Sequence, residues 1–312
     1  MKELLVVSGK GGTGKTTIVG TLAVLAKDTP LIRNPVLADC DVDAADLHLI
    51  LNPATKESKE FFGLKKAGLD RDKCDNCGEC IPVCRFDAIT SHNGIIRLDP
   101  ISCEGCGVCY RVCPRQAITM EDFIAGHWFV SDTPYGPMVH ARLGIAEENS
   151  GKLVMEVRRE ARRIAETLES NLIISDGPPG IGCPVISAMT GVDLVLIVTE
   201  PTVAGIHDME RLYNLAKGFD VEVAVCINKY DLDSETSADI EGFCHAHNIY
   251  VAGKIAFDER VVKALTRGEP IIMPRRRMSS GAQRTSSDPH SLPDTTARAI
   301  EELWTKIVVR LY

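Results

Sequence analysis

Apolar positions along this chain fall into short continuous runs separated by longer stretches of helical length. Residues 4–7 (Leu-Leu-Val-Val) form such a run, and a short apolar run bounded by polar residues predicts a buried strand. Residues 18–27 have the length and apolar content of a helix, and residues 35–38 predict a second strand that ends at Asp39, Cys40, Asp41, Val42 and Asp43. Residues 52–73 are charged and without period, which predicts an irregular connector. Residues 121–150 carry aromatics, Gly and Pro and predict strands and turns, and 151–170 predict an amphipathic helix with Arg158, Arg159, Arg162 and Arg163 on its polar side. Strands are then predicted at 172–174, 194–198, 221–227 and 250–255. Helices are predicted from about Ala204, over 237–247 and over 261–267, the last stopped by Gly268 and Pro270. Strands alternating with helices predict an α/β fold, a mostly parallel sheet covered by helices on both faces.

The final helical stretch puts Ile300, Leu303, Trp304, Ile307, Val308 and Leu311 on one face. Its other face mixes Glu301 and Glu302 with Lys306 and Arg310, whereas membrane-surface helices favour a Lys/Arg-rich polar face. The expectation is therefore packing against the core. Residues 275–293 are rich in Ser, Pro, Arg and Gly and predict a flexible linker, with Arg275, Arg276 and Arg277 a solvated patch within it.

Composition narrows the picture. The chain has 312 residues, enough for one large domain and a smaller one, and 45% hydrophobic content supplies a substantial core. A net charge of −8 argues against general affinity for nucleic acid or anionic membranes, so neither is an expected partner. No secretory pattern opens the sequence, and no apolar run approaches the ~20 residues that span a bilayer. A cytoplasmic location is expected. The twelve cysteines then read as ligands or free thiols, not as disulfides.

Candidate chemistry begins at Ser8-Gly9-Lys10-Gly11-Gly12-Thr13-Gly14-Lys15-Thr16-Thr17, which lies between the first strand and the first helix. That context turns G-x-x-x-x-G-K-[ST] into a phosphate site. Glycines let successive backbone N–H groups converge, and the helix N-terminus adds partial positive charge. Gly11, Gly12, Thr13, Gly14, Lys15, Thr16 and Thr17 are the expected nucleotide contacts. Lys15 would lie over the β- and γ-phosphates, and the Thr16 hydroxyl would help to hold Mg²⁺. Asp176, directly after a buried strand, is the natural second Mg²⁺ anchor, followed by Gly177-Pro178-Pro179-Gly180.

Lys10 narrows the class. The form K-G-G-x-G-K-T-T resembles the deviant P-loop of the MinD/ParA/Mrp family, which also includes the nitrogenase iron protein. The resemblance implies ATP and Mg²⁺ as ligands and an ATP-sandwiched homodimer, in which Lys10 would reach the partner's phosphates. It implies switch I at Asp41, which would orient water, and switch II after Asp176. Asp39 and Asp43 flank Asp41, and the sequence leaves the choice among the three open. It also implies base contacts near Asn228. There the string Asn228-Lys229-Tyr230-Asp231 matches the guanine-reading N-K-x-D as well, with ATP the favoured nucleotide.

The second motif set is a repeated cysteine run. Cys74-x-x-Cys77-x-x-Cys80-x-x-x-Cys84 and Cys103-x-x-Cys106-x-x-Cys109-x-x-x-Cys113-Pro114 form two copies, each trailed by Ala-Ile at Ala88-Ile89 and Ala117-Ile118. Zinc sites close at four ligands and do not explain two identical four-cysteine runs. The pattern resembles bacterial ferredoxins, where three thiolates of one run and the last of the other hold each [4Fe–4S] cube. Carried over by position, Cys74, Cys77, Cys80 and Cys113 hold one cluster, and Cys103, Cys106, Cys109 and Cys84 hold the other. Arg85 stands where the second run has proline. Cys40 and Cys226 read as buried small hydrophobes. Cys183, in a loop beyond switch II, has no upstream mate after Cys113 for a bridging cluster.

The expected organisation is a P-loop ATPase domain over 1–68 and 121–274, an inserted α+β ferredoxin-like domain over 69–120, a linker over 275–293 and a C-terminal helix over 294–312. The expected function is Mg-dependent, slow ATP hydrolysis coupled to electron transfer through two [4Fe–4S] clusters, with a redox partner protein that the sequence does not identify. Two other readings stay open: an iron–sulfur cluster carrier, and a MinD-like spatial regulator with a redox-sensing insert.

Overall fold

The structure, a computed structural model, describes residues 1–144, 150–272 and 294–312. The expected linker over 275–293, with its three arginines, lies outside the described residues. Two compact units emerge. The first comprises Met1–Ser58, Trp128–Arg142 and the described residues from Ser150 on, and the second comprises Lys59–His127 with residues 143 and 144.

In chain order the elements open with β1 (Lys2–Ser8), α1 (Lys15–Asp28), β2 (Val36–Asp39), α2 (Leu47–Leu51) and β3 (Ala54–Phe62). The second unit adds β4 (Lys66–Leu69), β5 (Ile89–His92), β6 (Ile95–Leu98), α3 (Val108–Val112) and β7 (Ile118–Glu121). Then follow β8 (Ile124–Thr133), β9 (Gly136–Leu143), α4 (Ser150–Thr167), β10 (Leu172–Pro179), α5 (Cys183–Met189), β11 (Leu194–Thr199) and α6 (Val203–Lys217). The chain ends with β12 (Glu222–Asn228), α7 (Ser234–Ala246), β13 (Tyr250–Ile255), α8 (Glu259–Thr266) and α9 (Asp294–Leu311).

Nine strands form one sheet in the order β13-β12-β11-β1-β10-β2-β9-β8-β3. Pairing is parallel from β13 through to β9, with Leu4 opposite both Ile174 and Leu194, and Asp176 opposite Asp39. β1, β2 and β11 are buried on both faces, which is why each reads as an uninterrupted apolar run. The expected mostly parallel α/β sheet is present. Its parallel strands direct Ser8, Asp39, Asp176, Thr199 and Asn228 to their carboxyl ends, where open α/β sheets bind ligands.

Four local expectations are corrected. Residues 54–62 are strand β3 and 66–69 are β4, not irregular connector. Only Phe61 of β3 is buried, so the strand lacks the apolar alternation that would have announced it. β10 extends to Pro179, so Asp176 lies within the strand and not after it. Arg158 does not lie on a solvated face: it is 5% exposed, and its guanidinium donates to Glu3 Oε1 at 2.9 Å and to the Ser187 and Thr190 carbonyls at 2.8 Å. Cys183 is the first residue of helix α5, not part of a loop, and its thiol is exposed.

α9 spends its apolar face in the first unit's core. Ile300, Leu303, Trp304, Ile307 and Leu311 are at most 5% exposed, and Trp304 Nε1 donates to Thr29 Oγ1 at 2.8 Å. Val308 is partly buried against the same core, as its place on that face predicts. Among the described residues no helix is long and apolar enough to cross a membrane.

The second unit is built from two antiparallel strand pairs. β4 pairs with β7, Lys66 opposite Glu121, and β5 pairs with β6 around a tight turn at Asn93 (φ 50°) and Gly94 (φ 75°). Asn-Gly at two positive-φ positions is the favoured two-residue hairpin chemistry. The Ala-Ile dipeptides that trail both cysteine runs are buried in equivalent places, Ala88-Ile89 opening β5 and Ala117-Ile118 opening β7. Because β4 and β7 close the unit, it extends on both sides of the 69–120 read from the cysteine spacing.

Candidate functional site

The glycine loop lies between the C-terminal end of β1 and the N-terminus of α1. Gly12 (φ 82°) and Gly14 (φ 93°) take left-handed backbone angles that other residues rarely adopt. A side chain at Gly14 would come within 2.4 Å of the Asn228 amide nitrogen, and one at Gly9 within 2.1 Å of Asp208 Cβ. At Gly11 and Gly12 a side chain would meet nothing within 4 Å.

Lys15 is 6% exposed and bonds Asp176 Oδ1 at 2.7 Å and Asp41 Oδ2 at 3.5 Å, with Thr16 Oγ1 at 3.4 Å from its Nζ. The loop lysine and two of the expected acids thus meet at the ends of β1, β2 and β10. Burial works to lower the Lys15 pKa, but Asp176 and Asp41 outweigh it and raise it. Burial pushes the Asp41 carboxyl up to about 6 against the pull of Lys15. Asp39 is fully buried and its carboxyl is held well above the usual range by desolvation and by the neighbouring Asp176. It accepts from the Asp41 and Leu47 backbone N–H groups at 3.1 and 3.2 Å, so it shapes the turn that presents Asp41. Asp43 is exposed, which separates the three aspartates by position: Asp39 braces, Asp41 faces the lysine, Asp43 faces solvent.

Asp176 Oδ2 is buried with no hydrogen-bond partner among the described residues, and so is Thr13 Oγ1. A buried, unpartnered carboxylate oxygen is costly unless something else satisfies it. Lys15 Nζ links the carboxylate to the Thr16 hydroxyl, at 2.7 Å from Asp176 Oδ1 and 3.4 Å from Thr16 Oγ1, so the two expected Mg²⁺ anchors share a neighbour.

The strand ends β11 and β12 complete the surroundings of the loop. Asn228 donates to the Thr13 carbonyl at 2.7 Å, and Lys229 donates to the Gly12 carbonyl at 3.0 Å. Asp231, at the guanine-reading position of N-K-x-D, accepts from the Phe257 backbone N–H at 2.6 Å. Glu200, which sequence reading missed, is paired with Lys10 at 2.6 Å and Lys229 at 3.0 Å. Its signal was an acid at the end of a buried strand, in Thr199-Glu200-Pro201-Thr202, next to a loop with one lysine more than phosphate cradling needs.

In the second unit the eight cysteines of the repeated runs sort into two cavities. One is lined by Cys84, Cys103, Cys106 and Cys109 together with Ala67, Phe86 and Leu98. The other is lined by Cys74, Cys77, Cys80 and Cys113 with Leu69, Ile96 and Ile118. Each cavity takes three cysteines from one run and the last from the other. Burial, and then the neighbouring cysteines, push the Cys80 and Cys109 thiols up. Among the described residues no three His, Cys, Asp or Glu side chains already stand in a metal-ion geometry. Cys40, Cys226 and Cys244 are buried away from both cavities, and burial pushes Cys40 out of the titrating range and Cys226 up to about 12.

Comparison with known proteins matches residues 4–271 to the family described as the CobQ/CobB/MinD/ParA nucleotide-binding domain. An uncharacterized protein of Methanocaldococcus jannaschii is 36% identical over 232 residues, 74% of this chain and 79% of its own. The septum site-determining protein MinD of Bacillus subtilis is 26% identical over 292 residues, 91% of this chain and 86% of its own. Among solved structures, the Pyrococcus furiosus cell division ATPase MinD superposes with a TM-score of 0.54 at 17% identity, covering 99% of this chain and 98% of that one. The MinD of Pyrococcus horikoshii complexed with Mg-ADP gives 0.53 at 16% identity, covering 98% and 95%. At these identities the likeness is one of fold.

Proposed function

Because the chain belongs to the CobQ/CobB/MinD/ParA nucleotide-binding domain family, we propose that it binds and hydrolyses Mg-ATP as a homodimer and couples that cycle to electron transfer through two [4Fe–4S] clusters. The observation that carries the cluster half of this reading is the sorting of eight cysteines into two four-cysteine cavities, each with a crossed three-plus-one set.

The nucleotide half rests on the convergence of Lys15, Asp41 and Asp176. Gly11 to Thr17 would hold the phosphates by backbone N–H groups and Lys15 would turn from its acids to the β- and γ-oxygens. Thr16 and Asp176 would hold Mg²⁺, the orphaned Asp176 Oδ2 being the oxygen that gains a partner. Mg²⁺ supplies neutralisation of the phosphate charge. Asp41, presented by Asp39, is the residue positioned to orient water, and Asn228 secures the loop on the side away from the acids.

For the clusters the donor set fits. Cys80 in one cavity and Cys109 in the other are buried thiols whose ionisation burial and the neighbouring cysteines oppose, and iron bound by the thiolates would lift that cost. Cys74, Cys77, Cys80 and Cys113 would hold one cluster, and Cys84, Cys103, Cys106 and Cys109 the other. When bound, such clusters supply one-electron transfer. The chain's part is to surround them with Leu69, Ile96, Ile118, Phe86 and Leu98, which limits water at the sulfurs.

Anaerobic purification followed by iron and acid-labile sulfide counting tests the reading. About eight irons per chain that are reducible by one electron per cluster and not transferred to an apo-acceptor support it. A zinc-loaded chain, or iron that transfers freely, defeats electron transfer. Failure to bind ATP in the presence of Mg²⁺ defeats the nucleotide half independently.

A further inference from the structure

Glu200 follows the C-terminal end of β11, and its carboxylate is divided between two lysines. Oε1 takes Lys10 of the glycine loop at 2.6 Å, and Oε2 takes Lys229 from the end of β12 at 3.0 Å. The acid is only 14% exposed while Lys10 is 39% exposed, so the anchor is fixed and the lysine lies toward the surface. Burial alone would raise the Glu200 carboxyl, and the two lysines together hold it below the usual range.

The backbone around Glu200 is equally constrained. Its carbonyl accepts from Thr202 N at 2.8 Å, and Thr202 caps α6 by accepting from Gly205 N at 3.0 Å. A side chain at Gly205 would fall 2.2 Å from the Glu200 carbonyl oxygen, so only glycine lets the first turn of α6 close over this residue. Lys229 sits at φ 56°, a left-handed angle unfavourable for a non-glycine residue, and its bonds to Glu200 and Gly12 hold it there.

We propose that Glu200 is a positioning residue that holds Lys10 within its own chain, so that Lys10 must leave this carboxylate before it can engage a partner protomer's nucleotide. This rests on the homodimer reading above. One carboxylate serves two purposes. Through Lys229 it steadies the glycine loop from behind, and through Lys10 it sets the threshold for pairing of protomers. The partly exposed pair sets only a small threshold, which a second nucleotide's phosphates would overcome once within reach. The phosphates would present a larger negative charge than Glu200 and more acceptor oxygens to the Lys10 ammonium.

Glu200→Gln tests the idea in the full chain. Glutamine keeps the side chain's length and one acceptor for Lys229, but removes the charge that detains Lys10. Dimer formation is followed by sedimentation against protein concentration, with Mg²⁺ and a non-hydrolysable ATP analogue. Monomer affinity for a fluorescent ATP analogue is measured at protein concentrations below pairing. The expected result is an apparent dimer Kd about fivefold tighter, with monomer nucleotide affinity within about twofold of the parent. In a Lys10→Ala background the Glu200→Gln gain should vanish. A gain that survives Lys10→Ala, or no gain, or a parallel loss of monomer affinity, overturns the role assigned to Glu200. If the parent chain binds the analogue yet stays monomeric at every concentration, the dimer reading itself falls, and this proposal with it.

Discussion

Asn228 donates its side-chain N–H to the carbonyl oxygen of Thr13 at 2.7 Å, fastening the end of β12 to the glycine loop across 215 positions of sequence. The same amide nitrogen lies where a side chain at position 14 would have to go, so the bond and the glycine are matched. Asn228→Ala would free the Thr13 carbonyl and loosen the loop. One lost hydrogen bond of this kind is worth about 1 kcal/mol, so affinity for Mg-ATP should fall about fivefold to tenfold. If Asn228 acts by holding the loop, ATP and GTP affinities fall together. A change in their ratio, measured by competition binding, would instead assign it to the base.

Asp41 predicts a pH dependence whose sign is opposite to that of an ordinary paired carboxylate. Its native pKa is raised from 3.8 to about 6, because burial outweighs Lys15. The native state therefore binds a proton more readily than the unfolded chain, and the charged group opposes folding by about 3 kcal/mol at most. That penalty is present in full above pH 6 and falls away as pH drops toward 3.8. Asp41→Asn should thus raise the thermal midpoint at pH 7.5, measured without nucleotide, and raise it less at pH 5. ATP turnover by the same variant should fall. Equal midpoints at pH 7.5 would show that Lys15 compensates Asp41 completely.

Arg158 and Glu3 form a buried ion pair at 2.9 Å, and the same guanidinium satisfies two carbonyls at the ends of α5 and the following turn. Arg162 also reaches Glu3, at 2.7 Å from the other oxygen, but is 39% exposed. Arg158→Met should destabilise the chain by about 3 kcal/mol, because it leaves Glu3 half-paired and two carbonyls bare. Adding Glu3→Leu removes the stranded charge and should recover part of the loss. Denaturant midpoints of the four chains in this cycle decide it. A double variant as destabilised as the sum of the singles would mean that the pair is not coupled.

What the sequence made legible was local or strictly periodic. The glycine loop sits between a strand and a helix within seventeen residues, and the parallel strands are buried on both faces, so their apolar runs could be read directly. The cysteine runs carry their own spacing. Elements defined by distant partners were hidden. β3 has one buried side chain in nine residues, so its pattern reads as loop although hydrogen bonding makes it an edge strand. Arg158 counted as polar in the helix period, while its partners lie 155, 29 and 32 positions away. Glu200 gave no local sign beyond its place at a strand end, because Lys10 is 190 residues distant. Cα geometry places these residues together only once the strand order is known.

The crossed sorting of the cysteines makes a prediction that the uncrossed alternative reverses. Cys84 closes the first run in sequence but lines the cavity of Cys103, Cys106 and Cys109, while Cys113 lines that of Cys74, Cys77 and Cys80. Cys84→Ser should therefore perturb the same electron paramagnetic resonance signal as Cys103→Ser and leave the other unchanged. Cys113→Ser should match Cys74→Ser. Arg115, bonded to Asp75 at 2.7 Å, borders only the second cavity, and that difference in surroundings helps to separate the two signals. Loss of a thiolate ligand should also shift the affected cluster's reduction potential, since potentials follow ligation and hydrogen bonding at the sulfurs. If Cys84→Ser instead pairs with Cys74→Ser, each run holds its own cluster, and the cavities' composition would not reflect ligation.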